Sequence, residues 1–424
     1  MMFARKKPLD AILATAEKKG LHRQLGAFQL TLLGVGAVIG TGIFVLTSEA
    51  AQKAGPGMLL SFVIAGFVCA VAALCYSELA SMVPVAGSAY TYTYAVMGEL
   101  LAWMVGWALI LEYAVGASAV AVGWSGYFVG LMNNSLGIEI PYALANGPSQ
   151  GGVINLPAVV IALLVTWLLM VGTTESARVN AVLVAIKVAA LTLFIALTLP
   201  VLKGENFMPF MPTGLVGTAG AAASIFFAYV GFDAVSTAAE ETKNPQRNVP
   251  IGLIGSLFIC TLFYMLVASG AIGSYGAQPV TSLAGEVLEP GSRALAERCQ
   301  AIVAAGGAEP LPCSREALAH VLRSIGWPQI GNLLGLAAFL ALPSVVLMMM
   351  FGQTRVFFVM ARDGLLPEKL ASVHPKWKTP HVVTLVTGLA VTLAAAFLPV
   401  GRLADYSNSG TLFAFFMVAV AVLV

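Results

Sequence analysis

Apolar residues in this chain come in blocks of about 18 to 30, close to the ~20 residues a helix needs to cross ~30 Å of hydrocarbon. Polar residues gather in the short stretches between them. The pattern predicts ten membrane-crossing helices, at about 28–48, 57–82, 99–131, 154–171, 178–200, 215–240, 250–273, 328–361, 380–398 and 403–424. The last block reaches Val424 without the aromatic or basic residues that usually close a span, so the natural chain is expected to continue.

Composition sharpens this picture. The 424 residues are 59% hydrophobic and 10% charged, with a mean hydropathy of +0.89, whereas a soluble domain carries about 25% charged residues. A net charge of +2 with no basic face argues against a nucleic-acid partner, and the partner this composition demands is the lipid bilayer. The placement of Lys and Arg predicts orientation. With the amino terminus inside, the cytosolic side receives the six basic residues of the first 25 together with Arg178, Lys243, Arg247, Arg355, Arg362, Lys369, Lys376 and Lys378. The outer side receives Lys53, Lys203, Arg293, Arg298, Arg315, Arg323 and Arg402, and the excess inside sets the expected topology. Residues 1–27 are then a retained cytosolic tail, with no small-residue cleavage site after the first apolar block. Residues 28–424 form a single transmembrane domain with one long outer loop, 274–327. Cys299 and Cys313 in that loop would face an oxidising compartment, which predicts a disulfide, two free thiols being the alternative.

Two of the blocks are poor continuous helices. The first contains Gly34, Gly36, Gly40 and Gly42 within nine residues, and the sixth reads Phe226-Phe227-Ala228-Tyr229-Val230-Gly231-Phe232-Asp233. Close packing between helices would also favour small residues. Interruptions in the first and sixth of ten spans are, however, what an inverted repeat of five helices produces, here about 28–201 and 215–424. Unwound backbone at bilayer depth is tolerated only where it is buried in protein or lines a cavity. A half-helix starting near Thr41 would offer N–H groups and a positive dipole end to a carboxylate. One ending near Val230 would offer carbonyls to an ammonium. A ligand with both groups on one carbon is an α-amino acid.

These residues resemble the amino acid-polyamine-organocation transporters, and within them the cationic amino acid transporter branch. Gly40-Thr41-Gly42-Ile43-Phe44 resembles the family's first-helix motif, and residues 226–250 are similar to its sixth helix and following loop. Residues 352–367 resemble its eighth helix, and 176–188, with Asn180 and Lys187, its fifth. The resemblance spans the chain and implies the all-α, LeuT-like fold, a 5+5 inverted-repeat bundle with broken first and sixth helices, usually followed by two further spans. It places the substrate carboxylate on the backbone around Ile39, Gly40, Thr41 and Gly42. It places the ammonium on carbonyls of Val38, Phe227 and Val230, beside Ala228 and Gly231, with the Phe227 ring as a gate.

Four ionisable residues lie in or beside the spans, and a charge at bilayer depth needs a partner, a cavity or neutralisation. Glu78 sits near a span end and is expected to be interfacial. Lys187 lies about ten residues into the fifth span, ~15 Å deep, where it would release and regain a proton. It resembles a built-in ammonium in the cation site of sodium-coupled relatives of this fold, with Ser344 as its hydroxyl partner; a permanently charged structural lysine is the alternative. Glu112 and Asp233 would face the substrate side chain and select a cationic group, or form an ordinary polar contact inside the bundle. Leu342 would limit pocket depth, and Pro343, unusual at its position in the family, removes a backbone donor and invites a kink.

The expected activity is secondary active transport of L-amino acids, cationic or small neutral, across the plasma (inner) membrane by alternating access, driven by a proton or other ion gradient and using no cofactor. An amino-acid exchanger, or a sensor of the same fold that no longer transports, is the alternative. An enzyme is disfavoured, because His22, His320, His374 and His381 lie in loops or at span ends and no metal or haem motif occurs.

Overall fold

The computed structural model describes residues 25–82, 88–172, 177–237, 242–377 and 379–424. The basic tail up to Arg23, Ser176 and Lys378 lie outside them. Regular structure among the described residues is helical. The helices are α1 (Ala27–Val38), α2 (Thr41–Ala54), α3 (Met58–Met82), α4 (Ser88–Val96), α5 (Glu99–Leu136), α6 (Leu156–Val171), α7 (Ala177–Thr198) and α8 (Gly214–Ile225). They continue as α9 (Ala234–Thr237), α10 (Pro245–Tyr275), α11 (Arg293–Ala304), α12 (Ala317–Ser324), α13 (Pro328–Arg362), α14 (His381–Phe397) and α15 (Val400–Leu423).

Six helical stretches among the described residues are long and apolar enough to cross a membrane: Gly42–Met82, Glu99–Leu136, Ala181–Val201, Pro245–Tyr275, Pro328–Ala361 and Val400–Leu423. Four further apolar helices are shorter, Ala27–Val38, Leu156–Val171, Gly214–Tyr229 and His381–Phe397. The short ones include the first half of each interrupted block, Ala27–Val38 and Gly214–Tyr229. Phe67 and Phe258, each 71% exposed on such helices, present to their surroundings the surface that lipid covers.

The bundle is organised around α5, which lies along α13 and α15, while α10 lies along α1 and α3, and α14 covers α6. Helix ends follow local chemistry. The α5 helix closes at Gly137, in the left-handed region, with the Gly137 N–H returning to the Asn133 carbonyl. The α6 helix opens on Asn155, whose side chain accepts the Ala158 N–H at 3.3 Å.

Pro343 does not end α13, which is helical on both sides of it. A proline leaves the carbonyl four residues earlier without its helical donor, and that carbonyl, Phe339 O, accepts the indole N–H of Trp124 at 2.9 Å. The Trp124, Phe128 and Phe339 rings form one stacked cluster, with centroids 5.2 to 6.0 Å apart. The cost of the proline is thus met from α5. Trp124→Phe is expected to lower stability by about 1 kcal/mol, read as a lower thermal midpoint in detergent. Adding Pro343→Ala, which restores a helical donor, should recover most of that loss; a double variant no better than the single would refute the pairing.

The loop between α10 and α13 is docked onto the bundle. Cys299 and Cys313 are joined in a disulfide with Cα atoms 5.7 Å apart. Arg315 donates to the Ala145 carbonyl at 2.7 Å and to the Ser125 hydroxyl at 3.1 Å. Glu316 pairs with Arg323 and accepts from Asn134 at 3.1 Å. Burial pushes the Glu316 carboxyl up to about 7 against the pull of Arg323, and lowers the Arg315 guanidinium to about 10.

Candidate functional site

The two interrupted helices meet in the middle of the bundle. Between α1 and α2 the chain leaves helical geometry at Ile39 (φ −69°, ψ 90°) and Gly40 (φ −146°, ψ −131°) and resumes it at Thr41. After α8 the helix tightens into a 3-10 turn over Phe226–Tyr229, Val230 is extended, and Gly231 takes φ +109°. That conformation is one L side chains rarely adopt, so glycine at 231 is a backbone requirement.

Their contact is intimate. A Cβ built on Gly42 would come within 2.1 Å of Ala228 Cα, and one built on Gly231 would lie 3.1 Å from the Ala37 carbonyl oxygen. The Tyr264 hydroxyl on α10 stands 2.8 Å from both the Val38 and the Ala228 carbonyl oxygens, one from each break. Phe227 O accepts the Val230 N–H at 3.3 Å. Val38, Ile39, Gly40, Gly42, Phe227, Ala228 and Val230 are buried and Gly231 is partly so; the Thr41 side chain lies outside the described atoms. A Cβ built on Gly40 would lie 3.4 Å from the Val345 side chain of α13, and Leu342, one turn earlier on that helix, is fully buried. Gly42 and Ile43 open α2, where the first-turn N–H groups have no helical acceptor. Donors and carbonyls of opposite helix ends are thereby set beside each other.

Lys187 on α7 is 2% exposed and donates to the Gly36 carbonyl at 3.0 Å, in the turn just before the first break. Ser344 on α13 donates to the Ala341 carbonyl of its own helix at 2.8 Å. Glu112 on α5 is 1% exposed, and neither carboxylate oxygen has a hydrogen-bond partner among the described residues. Asp233, 3% exposed, and Thr411 are its electrostatic neighbours. The Tyr76 hydroxyl is likewise buried without a partner among the described residues. Tyr76 packs edge-on against Phe232 and Phe415, so this polar group lies past the sixth-helix break.

Further ties to α2 come from α5, where the Tyr127 hydroxyl donates to the Phe44 carbonyl at 2.6 Å, and from the face that carries the 276–327 loop. Lys53 bonds to Ser224 at 2.5 Å and to Asp405 at 3.2 Å, and Ser224 donates to Asp405 at 2.5 Å. Gln52 donates to the Val280 and Leu288 carbonyls and accepts the Val280 N–H. The second half of the first span is held to α8, α15 and the loop together.

Paired helix breaks with main-chain donors and acceptors facing one another suit a ligand of mixed charge. Residues 29–424 match the amino acid permease family. The chain belongs to that family. This permease is 46% identical over 427 residues to the branched-chain amino acid permease BcaP of Bacillus subtilis (strain 168), spanning 100% of this chain and 85% of the relative. It is 43% identical over 423 residues to the methylthioribose transporter of the same organism, with 99% and 85% coverage. Against the vacuolar cationic amino acid transporter 2 of Arabidopsis thaliana it is 34% identical over 433 residues, covering 100% of this chain and 62% of that one. The permease is therefore a membrane-embedded amino acid transport protein and not an enzyme.

Two residues of the permease site escape sequence reasoning. Tyr264 sits inside an apolar helix, where an aromatic is ordinarily core, and Asn408, whose amide caps the Ala223 and Ser224 carbonyls at 2.7 and 3.3 Å, lies 185 residues from the helix end that it completes.

Proposed function

We propose that the permease is a secondary active transporter that carries cationic or small neutral L-amino acids across the plasma membrane by alternating access, coupled to protons. On this reading the chain adopts the LeuT-like arrangement of two inverted five-helix repeats, 28–201 and 215–424, with its amino terminus in the cytosol. The observation that carries it is the junction of the two breaks, where Gly42 packs on Ala228 and one tyrosine hydroxyl reaches a carbonyl of each. The substrate carboxylate sits on the first turn of α2 and the ammonium on the carbonyls of Val38, Phe227 and Val230. Phe227 covers the site and Leu342 bounds its depth. Glu112 and Asp233 lie beyond the second break, where a cationic side chain would extend. Lys187, buried against Gly36, is the proton carrier, and Ser344 stands on the facing helix.

The test is uptake into proteoliposomes of labelled alanine, arginine, leucine and methylthioribose, with proton and sodium gradients imposed separately. Saturable uptake of alanine or arginine that an inward proton gradient stimulates and a sodium gradient does not is expected. Stimulation by sodium alone would overturn the coupling. Uptake that occurs only with amino acid preloaded inside would replace symport by exchange, binding without flux would indicate a sensor, and flux of methylthioribose alone would overturn the substrate class.

A further inference from the structure

A cavity of about 630 Å³ lies away from the helix breaks, between α2, α5 and the 276–327 loop. Its volume falls in the ~300–1,000 Å³ range of small-molecule sites. One wall is a single face of α2, formed by Val45, Ser48, Glu49 and Gln52 at helical spacing. The facing wall is α5 at Val122, Gly123, Gly126 and Gly130, where the side chains missing from the glycines let Val45, Arg315 and Glu316 pack directly against the helix backbone. Residues of the disulfide-bonded loop, with Pro399 and Val400 at the start of α15, complete it.

The polar groups of this cavity are unequal. Gln52 is spent on the Val280 and Leu288 main chain, Arg315 on Ala145 and Ser125, and Glu316 on Arg323 and Asn134. Glu309 faces His320 at 3.6 Å. Glu49 makes no hydrogen bond or ion pair among the described residues, and the cation one turn away, Lys53, is held by Ser224 and Asp405. The Glu49 carboxylate lies over Gly401, where a Cβ would come 1.9 Å from Oε1. The lining thus carries three carboxylates and one guanidinium that is already engaged. It has an acceptor to spare for an ammonium and no comparable donor for a carboxylate, which sets it apart from the site at the helix breaks.

We infer that this cavity is a second binding site, for small amphipathic organic amines that lack a carboxylate, with the ammonium on Glu49 and the apolar body against Val45, Val122 and Val400. An ammonium beside Glu49 also favours its ionised form. Such a ligand bridges α2 and α5. Binding is measured on the purified protein, so its outcome is independent of whether transport occurs.

The probe is 2-phenylethylamine, titrated calorimetrically into detergent-purified protein at pH 8, with uncharged 2-phenylethanol as its counterpart. One saturable site for the amine is expected, at least about tenfold weaker for the alcohol and in Glu49→Gln, from loss of a charge-assisted hydrogen bond. Ser48→Phe, which fills the cavity and keeps Glu49, should abolish binding in protein that still elutes as a single symmetrical peak by size exclusion. Saturating alanine should leave the titration unchanged. Absence of saturable binding, equal affinity in Glu49→Gln, or displacement of the amine by alanine overturns the assignment.

Discussion

Gly42→Ala is expected to reduce saturable alanine uptake by about ten- to a hundredfold while leaving the helical content of the protein unchanged. The added methyl carbon would lie 2.1 Å from Ala228 Cα and 2.2 Å from its Cβ. Both are anchored to backbone, so no side-chain rotation relieves the overlap and the two half-helices must part. Overpacking of this kind costs about 1–3 kcal/mol, and it acts where the proposed carboxylate and ammonium subsites face each other. Because every tenfold in affinity is about 1.4 kcal/mol, the loss should be visible in equilibrium binding as well as in flux. Wild-type affinity for alanine in this variant would remove the ligand from the junction of the breaks.

Lys187→Met is expected to abolish proton-gradient-driven accumulation while leaving alanine binding within about threefold, a change of less than one tenfold step. Methionine keeps the length and apolar stem of lysine and loses the ammonium that bonds to Gly36 O. Lys187→Arg separates the two roles open to this residue. Arginine keeps the charge and cannot give up its proton. A structural cation would be served by it, whereas a proton carrier would not, so gradient-driven uptake is expected to vanish in both variants. Retention of stimulated uptake in Lys187→Arg would make Lys187 a fixed structural charge.

Much of the architecture could be read from the chain because lipid imposes a simple rule: apolar blocks of sufficient length become helices. The first break was legible because four glycines in nine residues weaken a helix at the depth where it must otherwise be continuous, and the sixth because Gly231 follows a run of aromatics. Contacts between remote segments were hidden. Nothing in Pro343 indicates that Trp124, 215 residues from Phe339, supplies the donor that the Phe339 carbonyl lacks. Lys53 and Asp405 meet across 352 residues, and only packing brings them together. Buried charges were visible as anomalies of composition, but Glu112 and Asp233 could be placed next to Tyr76, rather than simply inside the bundle, only from coordinates.

The Tyr264 hydroxyl carries one hydrogen and stands before two main-chain oxygens. At any instant one of these oxygens is left without it. On the proposed reading, the ammonium of a bound amino acid would supply the second donor. Recognition of the α-amino group then needs no acidic side chain at all.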